Sequence, residues 1–181
     1  YGESLVSDNS SAQVDSVLRE VVEHLVAAIA DQMGIVLEQT ASSVNVKDRR
    51  DFSCAVFASN GDLIANAPHV PVHLGAMSQT IRCRIELFPV MDPGDCYVTN
   101  DPYQGGSHLP DVTVATPVFV QHATGKESRP DFFVACRAHH AEIGGVSPGS
   151  MAPTSTRRGD AGVVMPPTHL VQPGTDVPMA I

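Results

Sequence analysis

Two segments that alternate apolar and polar residues constrain the fold most: "DVTVATPVFV" at 111–120 and "FFVACRA" at 132–138. Period-two alternation over this length marks half-buried strands. The polar "QHATGKESRPD" between them is turn material, so the pair is expected to form one antiparallel hairpin centred near Gly125 or Lys126. Residues equidistant from that centre face each other. Asp111 lies fourteen residues before Gly125 and His139 fourteen after it, which puts both at the open end of the hairpin. Directly opposed β-carbons stand about 4.5–5.5 Å apart, close enough for two side chains to share a ligand. His108 lies three residues upstream, across Pro110, in irregular chain that can fold back to the same point.

Two imidazoles and one carboxylate suit a first-row divalent metal. The same residues also suit a His–Asp proton-transfer pair without metal, or plain turn and surface roles. In a regular strand His139 and His140 point to opposite faces, so only one of them joins Asp111, and a one-residue bulge would exchange them. His69 and His73 are spaced i, i+4, but Pro68 and Pro71 cancel the one-face argument and leave them as loop histidines on spacing alone. The pairs Gly105–Gly106 and Gly144–Gly145 allow backbone to approach a ligand, and turn geometry accounts for them equally well. The sequence contains no G-x-x-x-x-G-K-[ST] and no G-x-G-x-x-G, so no nucleotide-phosphate loop is encoded.

Upstream of the hairpin, residues 1–13 are polar and read as a loose tail. From Val14, the residues Val17, Leu18, Val21, Val22, Leu25, Val26, Ile29 and Met33 follow helical spacing and predict a long amphipathic helix, interrupted at Gly34 and carried on towards Thr40. "DFSCAVFASNGDLIANAP" reads as a second hairpin about Asn60–Gly61. The prolines at 68 and 71 argue against a helix across "PHVPVHLGAM", and "SQTIRCRIELF" from Ser78 is the next helix candidate. "CYVTN" is a short strand. From Gly144 the composition turns to Gly, Pro, Ser and Thr, and the apolar "VVMPPTHLVQPGTDVPMAI" shows no evident end, which reads as truncation. The expected class is α+β: a long N-terminal amphipathic helix, then a β-rich region with antiparallel hairpins and long Gly/Pro loops.

Charge narrows the partners. A formal net charge of −9 disfavours a nucleic-acid or anionic-membrane partner, which would need a basic stripe, and "KDRRD" and "TRR" read as solvated charge beside acidic neighbours. No apolar run approaches the ~18 residues of a membrane span, and "YGESLVSDNSSAQVDS" lacks a signal-peptide layout. Cys54, Cys83, Cys96 and Cys136 show no C-x-x-C pairing, so each is expected to be a small buried residue in a cytoplasmic chain with reduced thiols.

Four stretches carry a family pattern: "IADQMGIVLEQTASSVNVKDRRDFSCAVF", "GDLIANAPHVPVHLGAM", "PGDCYVTNDPYQGGSHLPDVTVATPVF" and "AHHAEIGGVSPGSMAPTST". From about Val14 to Leu170 the chain resembles the N-terminal part of the hydantoinase B family. That family includes the B-type region of ATP-dependent 5-oxoprolinases and N-methylhydantoinases, and the alpha subunits of acetone and acetophenone carboxylases. The resemblance implies that residues 14–181 are the first part of a longer catalytic domain. It implies a hydantoinase A-type partner that uses ATP, hence a hetero-oligomer, and a small cyclic amide (5-oxoproline or hydantoin type) as substrate. A divalent metal (Mn, Fe or Zn) would be held by His108, Asp111 and His139. His73 or His69 would move a proton, His140 would contact substrate or support the ligands, and Glu142 would orient a neighbour. The Gly-Gly turns would turn backbone N–H groups towards a developing oxyanion. Where relatives commonly carry a glutamate after "STxxxx", this chain has Ala161. The implied reaction is metal-assisted hydrolysis of the amide; carboxylation at the same site and a noncatalytic assembly role are the alternatives.

Overall fold

A computed structural model describes residues 7–67, 70–120, 129–147, 149 and 153–172. His69 and the turn about Gly125 lie outside the described residues. The elements run α1 (Ser7–Thr40), α2 (Val44–Lys47), β1 (Phe52–Ala58), β2 (Leu63–Asn66), α3 (Pro71–Leu87), β3 (Cys96–Thr99), β4 (Asp111–Val118), β5 (Phe132–His139) and β6 (Thr168–Val171), with a 3-10 turn at Arg158–Asp160. The class is α+β. The strands form one six-stranded sheet in the order β2-β1-β5-β4-β3-β6, with every neighbouring pair antiparallel.

The alternation of the strands decides which helix covers which face. Asp111, Thr113 and Ala115 of β4 and Phe133, Ala135 and Arg137 of β5 are buried on one face. There Ala55, Phe57, Ala115, Phe133 and Ala135 pack with Met77 and Ile81 of α3. On the opposite face Phe52, Cys54 and Val56 meet Val26, Ala30, Met33 and Leu37 of α1. Only the second half of α1 rests on the sheet in this way. Val17, Leu18, Val21, Val22 and Leu25 remain 48–60% exposed.

Three elements differ in extent from the sequence reading. α1 is unbroken through Gly34 and begins within the polar N-terminal segment. One helical glycine costs only about 1 kcal/mol, and the packed residues on either side of it outweigh that. α3 begins at Pro71 rather than Ser78, because proline at the first helical position lacks only an N–H that would be unpaired anyway. β6, unread in the sequence, joins the far edge of the sheet by pairing Tyr97 with His169. The Asn60–Gly61 turn forms as expected, with Gly61 at φ 85° and Ala58 N–H donating to the Asp62 carbonyl at 2.8 Å.

The loop between β3 and β4 carries His108 and is clamped from both sides. Asn100, fully buried, donates to the carbonyls of Leu109 (2.8 Å) and Val163 (2.9 Å) and accepts from Met165 N–H (2.7 Å). On the other side Gly105 lies flat on α3. Its φ is +89°, and a β-carbon there would stand 2.5 Å from Thr80 Cα. Gly105→Ala is therefore expected to lower stability by at least about 1–3 kcal/mol, the usual cost of a left-handed non-glycine residue, before the clash is counted. Urea unfolding checks this, and a change within about 0.5 kcal/mol, the surface-substitution range, would contradict it.

Candidate functional site

β5 has a strand on each side, and its last residue is fixed by both. His139 N–H donates to the Asp51 carbonyl at the entry to β1 (2.9 Å), and His140 N–H donates to the Pro110 carbonyl ahead of β4 (2.8 Å). Asp111 pairs directly with His139, the register read from the sequence. Three chain segments are thus stitched together at one end of the sheet.

The side chains converge there. His139 Nδ1 lies 2.7 Å from Asp111 Oδ1, and the His108 ring stacks on that of His139 with centroids 5.5 Å apart. One donor atom each from His108, Asp111 and His139 falls within 4.8 Å of the others. A borderline-hard donor set of two imidazoles and a carboxylate in this compass suits a first-row divalent cation. The carboxylate is nearly buried, and its second oxygen, Oδ2, accepts from Ser107 Oγ at 3.0 Å. A carboxylate oriented in this way is pre-set for a ligand, as the residues behind a metal's own ligands usually make it.

His73 enters from α3. Its Nε2 stands 3.6 Å from Asp51 Oδ1 and 3.9 Å from Asp111 Oδ1, and its buried Nδ1 has no hydrogen-bond partner among the described residues. Burial holds this imidazole below the ordinary histidine pKa, against the pull of the two carboxylates, which favours the neutral ring at neutral pH. His140 is shifted the same way, first by burial and then by His139. Glu142 is committed elsewhere. Its Oε1 accepts from the N–H groups of Ile143, Gly144 and Gly145 at 2.7–3.1 Å, and those bonds hold its carboxyl below the usual range.

That arrangement corrects the oxyanion reading of the glycine pairs. The Gly144 and Gly145 amides serve Glu142, and Gly106 N–H donates to the Asp101 carbonyl at 2.8 Å. Close packing is what these glycines supply: a β-carbon on Gly145 would sit 3.2 Å from the Ala161 carbonyl. Ala161 therefore lies against the turn that follows His140 and Glu142.

Arg137 is the residue that the sequence reading passed over. It is fully buried, directly opposite Thr113. Its Nε donates to Thr113 Oγ1 (2.7 Å), Nη1 to the His73 carbonyl (3.1 Å) and Ser107 Oγ (3.3 Å), and Nη2 to Thr80 Oγ1 (2.9 Å) and the Gly105 carbonyl (3.0 Å). Burial pushes its pKa down to about 10 while Asp111 pulls it up, so the guanidinium stays charged beneath the site. The signal was present: a charge at an inward position of an alternating strand requires partners. Asp51, read as part of a solvated basic cluster, also turns its carboxylate to the site.

An α+β fold with a His–Asp–His cluster at one sheet end defines a candidate metal-binding scaffold, and sequence comparison narrows it. A family model described as hydantoinase B/oxoprolinase matches residues 15–180, and the chain belongs to that family. It is 48% identical over 161 residues to 5-oxoprolinase 1 of Arabidopsis thaliana and 48% identical over 162 residues to 5-oxoprolinase of Saccharomyces cerevisiae. These matches cover 88% and 89% of the chain but 12% of each relative, so the chain spans about an eighth of their length. Among solved structures it resembles the ATP-dependent caprolactamase of Pseudomonas jessenii, with TM-score 0.73 and 26% identity over 87% of this chain and 26% of that one. A nucleotide-free acetone carboxylase shares the fold, with TM-score 0.75 and 22% identity over 86% of this chain and 20% of that one. No helix among the described residues is long and apolar enough to cross a membrane.

Proposed function

We propose that this chain supplies the hydrolytic centre of an ATP-dependent cyclic-amide hydrolase, acting on a 5-oxoproline- or hydantoin-type ring. One observation carries the reading: His108, Asp111 and His139, drawn from a loop and two strands, bring one donor atom each within 4.8 Å. Family membership and 5-oxoprolinase relatives support the substrate class. ATP would be used by a hydantoinase A-type subunit or domain, activating the amide carbonyl by phosphorylation.

A divalent cation (Mn, Fe or Zn) bound to the three residues would supply polarisation of a carbonyl or phosphoryl oxygen and a lowered pKa of water. The chain's own residues do the rest. Asp111 contributes the negative charge, with Oδ2 held by Ser107. His73, whose neutral ring is favoured by burial and whose Nε2 faces the Asp51 and Asp111 carboxylates, is the group placed to exchange a proton with water at the cluster and return it to the departing nitrogen. His140 would contact substrate or support the ligands, and Glu142 shapes the adjoining turn.

The test is ATP-dependent turnover of 5-oxoproline and hydantoin by the complete protein with its A-type component, with and without bicarbonate. Ring opening independent of bicarbonate and lost on chelation is expected. ATP turnover that requires bicarbonate would replace this reading with carboxylation, and ring opening undiminished in metal-free protein would remove the metal from it.

A further inference from the structure

Two cysteines 82 residues apart in sequence meet on the sheet face opposite the His–Asp cluster, with Cys54 Sγ and Cys136 Sγ 3.1 Å apart. Cys54 of β1 pairs directly with Cys136 of β5. The Cys54 carbonyl accepts from Ala67 N–H, on the β2 side, so the Cys54–Cys136 pair is a non-hydrogen-bonded one. Such pairs bring α-carbons to about 4.5 Å and side chains closest together. That separation lies inside the window of roughly 4.4–6.8 Å that a disulfide spans.

Burial divides the pair. Cys54 is completely enclosed by Val46, Phe52 and the second half of α1. Cys136 is half-buried and borders the groove that runs along α1 past Ile29, Met33 and Val36. One sulfur is within reach of a small reagent, and the other is within reach only of its neighbour. We propose that Cys54 and Cys136 form a reversible dithiol–disulfide site, in which Cys136 is attacked by a hydroperoxide and Cys54 resolves the product.

In the first step the Cys136 thiolate attacks the peroxide oxygen. The O–O bond breaks, the alcohol or water leaves with the proton, and Cys136 becomes a sulfenic acid. In the second, the Cys54 sulfur gives up its proton and attacks the Cys136 sulfur. The S–O bond breaks, and water departs. Two thiols and one hydroperoxide thus yield a disulfide, water and an alcohol, and an external dithiol reverses the change. The contact with Cys54 holds the Cys136 thiol below its ordinary pKa, and the same contact together with burial pushes Cys54 up, which agrees with this order of attack.

The experiment treats the full-length protein with hydrogen peroxide, alkylates the remaining thiols, and maps the peptides by mass spectrometry. Joint loss of alkylation at both positions is expected, with a Cys54–Cys136 cross-linked peptide that dithiothreitol releases. Cys54→Ser should leave Cys136 as a sulfenic acid trapped by a cyclic 1,3-dione, whereas in Cys136→Ser the Cys54 thiol should stay reduced. The idea is overturned if the treated wild type keeps both thiols, if Cys136 passes to sulfinic acid without a bridge, or if Cys54→Ser yields no trapped adduct.

Discussion

Asp111→Ala, in the complete protein, is expected to remove metal binding and ATP-driven ring opening together, with metal affinity falling by more than about 100-fold. Removing a partner behind a ligand already costs some 10–100-fold, and Asp111 is placed as a ligand itself. Its carboxylate is the centre on which the other groups are arranged. Oδ1 meets His139 Nδ1, Oδ2 takes the Ser107 hydroxyl, and His73 Nε2 approaches from α3. Truncation leaves two histidines with no anion between them. Metal content of the purified variant and its turnover rate provide the check, with near-ultraviolet circular dichroism to show that the fold persists. A variant that retains near-stoichiometric metal and wild-type turnover would remove the proposed centre.

Arg137→Met is expected to cost roughly 3–5 kcal/mol of unfolding free energy, the range seen when one member of a buried charged network is removed. Methionine fills much of the same volume, so the loss reads out the polar partners rather than a cavity. Those partners are the Thr113 and Thr80 hydroxyls, Ser107, and the carbonyls of His73 and Gly105, all of which would lose a donor. Arg137→Lys should recover only part of the loss, because an ammonium cannot span a helix, a strand and a loop as the planar fork does. Urea denaturation measures both. If Arg137→Met unfolds within about 0.5 kcal/mol of wild type, the guanidinium is not the tie that its contacts imply.

What the sequence made legible follows from how local the signals are. The β4–β5 register could be counted because a polar turn marks its centre, and that count alone placed Asp111 opposite His139. The α1 pattern was readable from periodicity. Long-range packing was not. Arg137 looked like one more residue of a strand, and only the approach of α3 and the loop at 105–107 shows what it holds. Asp51 sat among basic neighbours and read as solvated charge. Pro71 starts a helix where its residue type alone argues for a break, since the two roles differ only by position relative to the first turn. β6 is four residues long and finds its place only through pairing with β3. Among the cysteines, Cys54 is buried as expected, while Cys83, Cys96 and Cys136 are only half-buried.

The double anchoring of β5 has a consequence for how this chain tolerates change. Every pair from Asp111–His139 to Val118–Phe132 is fixed against β4, and the same strand is matched residue for residue against β1. Adding or deleting residues between 121 and 128 therefore has no route by which to slide His139 past Asp111. The donors lie at the other end of strands eight residues long, roughly 25 Å away. Length variation in that connection is mechanically insulated from the His–Asp–His cluster, which makes it the natural place to splice in a tag or a recognition segment without disturbing that end of the sheet.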